Sequence, residues 1–150
     1  MNLRMFDNFP VLYTRRIKLV EITQENVADY FQIFSDSRVT QFYTMPTLTE
    51  VNEARIYIEW LADKYEQKRG ISWGITLKNE EKIIGVVGFN NFQLNHRGNI
   101  FGVLKHEFWN RGIMTESLSE VIKFGFNELK INRADAETMS GNKKMKNVFL

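Results

Sequence analysis

Between Val51 and Leu77 the apolar residues change their repeat. Val51, Ala54, Ile58, Leu61 and Tyr65 recur every three or four residues, whereas Ile71, Trp73, Ile75 and Leu77 alternate with Ser72, Gly74, Thr76 and Lys78. The first period lays one apolar stripe along a helix, and the second lays one apolar face along a strand. Gly70 stands at the change, where a helix can end. Thr47 and Glu50 have the Ser/Thr-x-x-Glu spacing of a capping box, which predicts the start of that helix. The polar stretch Asn79 to Lys82 leads to a second apolar run, Ile83 to Phe89, so the two runs read as an antiparallel hairpin. A helix followed by a hairpin commits the chain to a mixed architecture, because stripe and face must each find an apolar partner.

The flanking segments extend this pattern. Arg16 to Ile22 mixes Ile17, Leu19, Val20 and Ile22 with charges and reads as a strand, after which Thr23 offers an N-cap to a helix carrying Val27, Tyr30, Phe31 and Phe34. A turn-rich stretch, Asn95 to Asn99, precedes a third apolar run, Ile100 to Leu104. Gly112 then opens a helix with Leu118, Val121, Ile122, Phe126 and Leu129 on one face, and Asn132 to Thr138 reads as a last strand. The predicted order is β-α-α-β-β-β-α-β, an α/β (α+β) fold with a mixed, mostly antiparallel central sheet flanked by helices. Neither a repeat nor a Pro/Gly/Ser-rich linker interrupts it, so residues 1–150 are expected to form a single domain.

Composition removes several function classes. Hydrophobic residues make up 43% and charged residues 25% of the chain, which excludes a disordered composition. The net charge of +2 gives no long-range basic field, and Lys143-Lys144-Met145-Lys146 is too small a cluster to predict a nucleic-acid partner. Cys is absent, which excludes disulfides and thiolate chemistry. No apolar run approaches the roughly 20 residues of a membrane span, and Asp7 and Asn8 stand where a signal peptide would be apolar. A soluble, cytoplasmic protein without a membrane partner is expected.

The segment with the most chemistry is Trp109-Asn110-Arg111-Gly112-Ile113-Met114-Thr115, between an apolar strand and an amphipathic helix. A helix start carries amides without partners and a partial positive charge, and Gly lets the backbone approach an anion closely. Arg111 and Thr115 add a charge and a hydroxyl. An ordinary strand-to-helix turn, with Gly112 only relieving strain, satisfies the same residues. The glycine-rich patterns of P-loop and dinucleotide-binding proteins are missing. His96 and His106 lack a spaced set of metal partners, so no metal is expected. Ser117 and Ser119 lack a nucleophile elbow.

Order and residues together resemble the GNAT family of N-acetyltransferases, and within it the ribosomal-protein (RimJ/RimL-like) branch. The resemblance runs from Phe9-Pro10-Val11-Leu12-Tyr13-Thr14-Arg15-Arg16 to about Asn142. The family's cofactor loop reads Gln/Arg-x-x-Gly-x-Gly/Ala, and the branch shows Trp-Gly-Lys-Gly-Tyr-Met-Thr-Glu-Ala where this chain has Trp-Asn-Arg-Gly-Ile-Met-Thr-Glu-Ser from Trp109 to Ser117. The resemblance implies transfer of an acetyl group from acetyl-CoA to a primary amine, a protein N-terminus first among the acceptors, with polyamines and aminoglycosides behind it. It implies that the backbones of Val103 and Leu104 pair with the pantetheine arm. The amides of Asn110, Arg111, Gly112, Ile113, Met114 and Thr115 would hold the pyrophosphate, and Asn142 would approach the cofactor. The acceptor amine would enter from the opposite side of the splayed central strands.

Two departures stand out. The branch carries a Glu before the cofactor strand where this chain has Asn99, and an amide cannot take up a proton, though it can orient a water. Glu137 and Glu107 are the nearest carboxylate candidates. The branch also continues past Asn142 with Ser three residues on and two closing strands, whereas here Met145 takes the Ser position and the chain stops at Leu150. A domain truncated at its C-terminus is expected, its final hairpin missing. A homodimer or larger assembly would then cover the open edge and Val148-Phe149-Leu150. A module that binds coenzyme A without catalysis is the second reading. Phe42, Tyr43, Trp60, Trp73, Phe89 and Phe92 are candidates for an acceptor pocket, with the core as their simpler use.

Overall fold

The computed structural model describes residues 6–43 and 45–136. The strands lie in one six-stranded sheet in sequence order: β1 (Leu12–Tyr13), β2 (Ile17–Glu21), β3 (Ile71–Leu77), β4 (Gly85–Gln93), β5 (Arg97–Leu104) and β6 (Arg133–Ala136). All neighbours pair antiparallel except β5 and β6, which run parallel because a helix carries the chain back between them. The helices are α1 (Val27–Phe34), α2 (Ser37–Thr40), α3 (Val51–Glu66) and α4 (Ile113–Asn127). A mixed, mostly antiparallel sheet flanked by helices is the predicted class.

Alternation along the strands builds a core on each face of the sheet. Leu19, Trp73, Val87, Phe89, Ile100 and Leu104 pack with Leu118, Val121 and Phe124 of α4 on one face. Val86 and Val103 pack with Tyr30, Ile33 and Phe34 of α1 and Ala54 and Ile58 of α3 on the other. Phe89 fixes the distance between sheet and α4. A Cβ on Gly98 of β5 or on Gly125 of α4 would each come within 2.6 Å of its ring, so both glycines leave room for one buried aromatic.

Element boundaries depart from the sequence-based expectations at several points, each for a local reason. Thr47 does not cap α3. Its hydroxyl pairs with that of Thr40 at 2.6 Å. The Glu53 carboxylate instead accepts from the backbone N–H groups of Thr49 and Glu50, so α3 begins at Val51. Thr23 first caps a 3-10 turn, Gln24–Asn26, in a reciprocal capping box with Asn26, and α1 follows. The third hairpin strand begins at Arg97 rather than Ile100, because the turn is confined to residues 94–96 and polar residues occupy the start of the strand. Ile83 and Ile84 precede β4. Phe126 is 43% exposed, and Phe124 takes the buried position expected of it. The short elements β1 and α2 carry too few residues for a period to show.

The described part of the last strand is Arg133–Ala136. The expected truncation, the Val148-Phe149-Leu150 end and the assembly expected from them concern residues outside those described. No helix among the described residues is long and apolar enough to cross a membrane.

Candidate functional site

The end of β5 faces two ways. Lys105 donates its N–H to the Ile84 carbonyl at 2.8 Å, and a Cβ on Gly85 would stand 2.6 Å from the Val103 carbonyl oxygen, so the main chain of Val103 and Lys105 is directed to β4. In an antiparallel ladder the residues between them point their backbone groups the other way. Gly102 and Leu104 therefore present theirs on the β6 side, where the described ladder ends at Ile100 opposite Ala136. Of the expected pantetheine pair, Leu104 is so directed and Val103 is not; Gly102 is directed as Leu104 is. The Tyr43 hydroxyl donates to the Gly102 carbonyl, and the Trp109 indole N–H donates to the Leu104 carbonyl at 2.8 Å. Both carbonyls thus have partners from their own chain.

After β5 a 3-10 turn, His106–Phe108, folds the chain toward α4, closed by hydrogen bonds from Phe108 N–H to Lys105 and from Trp109 N–H to His106. Asn110 and Gly112 both have positive φ, 65° and 76°. Two residues in the left-handed region within three positions reverse the chain tightly, and Asn and Gly tolerate that region best. Gly112 is the N-cap of α4 and has no side chain to satisfy the helix's first amides. Thr115 and Arg111 are exposed, the Arg111 guanidinium lying 5.4 Å from the Phe108 ring centre. Ile113 is buried, and Met114 packs its sulfur against β5 at Gly102, so these two can offer only their main chain outward.

A clamp that the sequence did not disclose holds this turn. Arg16, just before β2, donates through Nε to Glu116 Oε1 at 2.8 Å and through Nη1 to the Arg111 carbonyl at 2.9 Å. The Glu116 carboxylate also accepts from the Arg16 backbone N–H at 3.0 Å and from the Thr14 hydroxyl. Burial pushes the Glu116 carboxyl up, but the hydrogen bonds from Thr14 and Arg16 outweigh it and hold the group below its ordinary value. The Arg16 guanidinium also lies beside the helix start, where a Cβ on Gly112 would come 3.3 Å from Nη2. A cation beside the positive end of a helix is unfavourable alone; Glu116 offsets it, and an anion at the turn would do so further. About a hundred positions separate the partners, so no local motif signals the contact.

The other predicted residues divide clearly. Asn99 lies in β5 directly between Asn91 of β4 and Asp135 of β6, and its Oδ1 is buried without a hydrogen-bond partner. Glu107 sits on the exposed side of the 3-10 turn in an ion pair with Lys105 at 2.9 Å, and the hydrogen bond from Lys105 holds its carboxyl below the usual range. Glu137 and Asn142 lie outside the described residues. Ser117 and Ser119 donate their hydroxyls to the Ile113 and Thr115 carbonyls at 2.8 Å, as helix residues do. No group of three or more metal-ligating side chains occurs among the described residues. Trp73, Phe89 and Phe92 are core, and Trp60 is 48% exposed beneath Lys64. Of the six aromatics named from the sequence, Tyr43 is the one that hydrogen-bonds to β5.

Comparison with known proteins assigns this architecture to a class. The GNAT acetyltransferase domain matches residues 16–150, and the chain belongs to that family. The uncharacterized N-acetyltransferase YoaA of Bacillus subtilis (strain 168) is 32% identical over 95% of this chain and 81% of its own. The uncharacterized N-acetyltransferase p20 of Bacillus licheniformis is 30% identical over 87% of this chain and 74% of its own. Among solved structures, the ribosomal alpha-N-protein acetyltransferase RimL in complex with coenzyme A superposes with a TM-score of 0.82 at 18% identity, over 93% of this chain and 80% of that one. An acetyltransferase from Bacillus anthracis superposes at 0.81 with 19% identity, over 93% and 80%. The protein is thus a GNAT N-acetyltransferase, an acyltransferase that uses acetyl-CoA.

Proposed function

We propose that the turn from β5 into α4 holds the pyrophosphate of acetyl-CoA and that the acceptor is a primary amine, a protein N-terminus foremost. The observation that carries this is the start of α4. Gly112 leaves the first amides uncapped, adopts a positive φ that strains any residue with a side chain, and has Arg16 and Arg111 close by, which suits a compact anion. Asn110, Arg111, Gly112, Ile113, Met114 and Thr115 would hold the diphosphate through their main chain. Gly102 and Leu104 would hold the pantetheine amides. The donor supplies an activated thioester carbonyl when bound.

The protein's own contribution is placement. Holding a neutral amine and a carbonyl in line is worth about 7–11 kcal/mol in well-oriented reactions. Backbone N–H groups on the β6 side of β5 are directed to polarise a carbonyl oxygen, as donors fixed before the charge develops. Asn99 stands on the same strand and offers an oxygen to an amine hydrogen. Asn142 keeps the role the family resemblance implies for it, a contact near the pantetheine, and Glu137 is the carboxylate candidate for proton acceptor.

The comparisons favour acceptors of the N-terminal kind, since RimL is described as an alpha-N-protein acetyltransferase. Thiol release from acetyl-CoA tests the proposal, with a free-N-terminus peptide, spermidine and an aminoglycoside as acceptors. Turnover is expected with the peptide above the other two. Coenzyme A binding without turnover on any amine would replace it with a binding module. The same proposal includes a cytoplasmic location and a homodimer, for which a light-scattering dilution series that shows only monomer would remove the dimer.

A further inference from the structure

Two polar rows cross the sheet at the start of β5. In-register neighbours on adjacent strands share a face. Gln93, Arg97 and Arg133 form one row, and Asn91, Asn99 and Asp135 form the next. Both lie on the face that carries Val103 and Val86 farther along, but here no apolar side chain occupies the rows. At their centre Asn99 Oδ1 is buried with no partner. A buried acceptor left unpaired costs roughly 1–3 kcal/mol, so a site that keeps one invites a donor from outside. Asp135 offers a carboxylate beside it, shared with Arg133 at 2.8 Å and 39% exposed. One row away, Arg97 and Arg133 are exposed cations. Rows two residues apart on a strand are separated by about 7 Å.

We infer that these rows are the acceptor subsite and that they select a free α-amine followed by acidic residues. Resting on the acetyl-transfer proposal above, the amine donates to Asn99 Oδ1 beside Asp135, and a carboxylate from the second or third residue of the acceptor reaches Arg97 and Arg133. Among the described residues of the rows two cations stand against one carboxylate, a positive balance that disfavours a polyamine and favours an amine with an anionic neighbour. Specificity is carried by the repelled acceptor as much as by the favoured one.

Two peptides of equal length, one beginning Ala-Asp-Asp and the other Ala-Lys-Lys, test this beside spermidine. Each is measured by thiol release and by calorimetric binding to the enzyme saturated with coenzyme A. The acidic peptide is expected to have a KM about tenfold lower, as two exposed charge contacts allow, with the advantage shrinking as salt rises. Arg97→Gln with Arg133→Gln should bring the two peptides to near equality in both measurements, with donor binding unchanged. Asn99→Leu should weaken both peptides alike. A preference for the basic peptide or spermidine overturns the inference, as does an acidic preference that survives the double Arg variant. Absence of thiol release with all three acceptors is a different result: it removes the acetyl-transfer proposal and this subsite with it.

Discussion

The two ends of β5 solve opposite problems. At its C-terminal end the Leu104 and Gly102 carbonyls, the Arg111 carbonyl and the Glu116 carboxylate all have partners, supplied by Trp109, Tyr43, Arg16 and Thr14. At its N-terminal end Asn99 keeps a buried oxygen with none, among polar rows contributed by three strands. The first end is a backbone receptor held rigid by side chains, and rigidity lowers the cost of binding a floppy cofactor. The second is a side-chain receptor with an unmet hydrogen bond, and an unmet bond discriminates, because only the right ligand satisfies it. Stability is concentrated where the donor is proposed to bind and given up where the acceptor is.

The widest gap between the ends should appear with Gly112→Val. A Cβ there meets Arg16, and the positive φ is strained for any branched residue. Coenzyme A affinity is expected to fall by about a hundredfold or more in calorimetry, with the circular dichroism spectrum retained. Unchanged affinity would detach the donor site from the α4 start and end the comparison.

Phe89→Ala reaches both ends at once, since the ring spaces α4 from β5 at Gly98 and Gly125. Loss of about 3–5 kcal/mol in urea unfolding is expected. A loss under about 1 kcal/mol would mean that the sheet and α4 find another packing and that the two ends are not held by one core.

Glu116→Gln sharpens the account of the clamp. It should weaken coenzyme A binding several-fold and lower stability by about 1 kcal/mol at neutral pH. The sign in pH follows from the lowered carboxyl value. A depressed folded value stabilises above the unfolded value, about 4.3 for Glu, and the contribution is lost as pH falls through the folded value. The difference between Glu116→Gln and the parent in urea unfolding should therefore be full near pH 7 and shrink below about pH 4. A difference independent of pH would show that the carboxylate charge is not what Arg16 recognises.

The smallest effect is the most diagnostic. Asn99→Leu removes a buried oxygen without a partner, so the protein should become more stable by about 1 kcal/mol while it loses acceptor binding. A thermal midpoint that falls instead would show Asn99 serving the fold rather than the acceptor.

Much of the fold was legible because period and punctuation are local. The switch at Gly70 placed β3 at Ile71–Leu77 and showed that a helix precedes it, although α3 runs from Val51 to Glu66 and stops short of Gly70, and the Trp109–Ser117 motif located the turn into α4. Errors fell where a competing contact decided the outcome. Thr47 had the right spacing for a cap, but Thr40 takes its hydroxyl and Glu53 takes the role. Asn95 to Asn99 looked like a turn from its Asn, Gly and Arg residues, yet Asn99 is a strand residue, because its neighbours on β4 and β6 are polar too. Phe124 and Phe126 are two positions apart on α4, and only packing against Trp73, at 5.1 Å between ring centres, shows which is inside.

By itself the sequence determined the class: helical and strand periods, a glycine where a strand turns into a helix, and residue types that exclude thiolate chemistry. These follow from interactions within a few residues, which a linear string records. The tertiary structure decided which backbone groups of β5 face outward, since register alternates and only the pairing with β4 sets its phase. It also decided the partners of Glu116 and the setting of Asn99, because hydrogen bonds and rows between strands join residues whose separation in the chain carries no signal of their meeting.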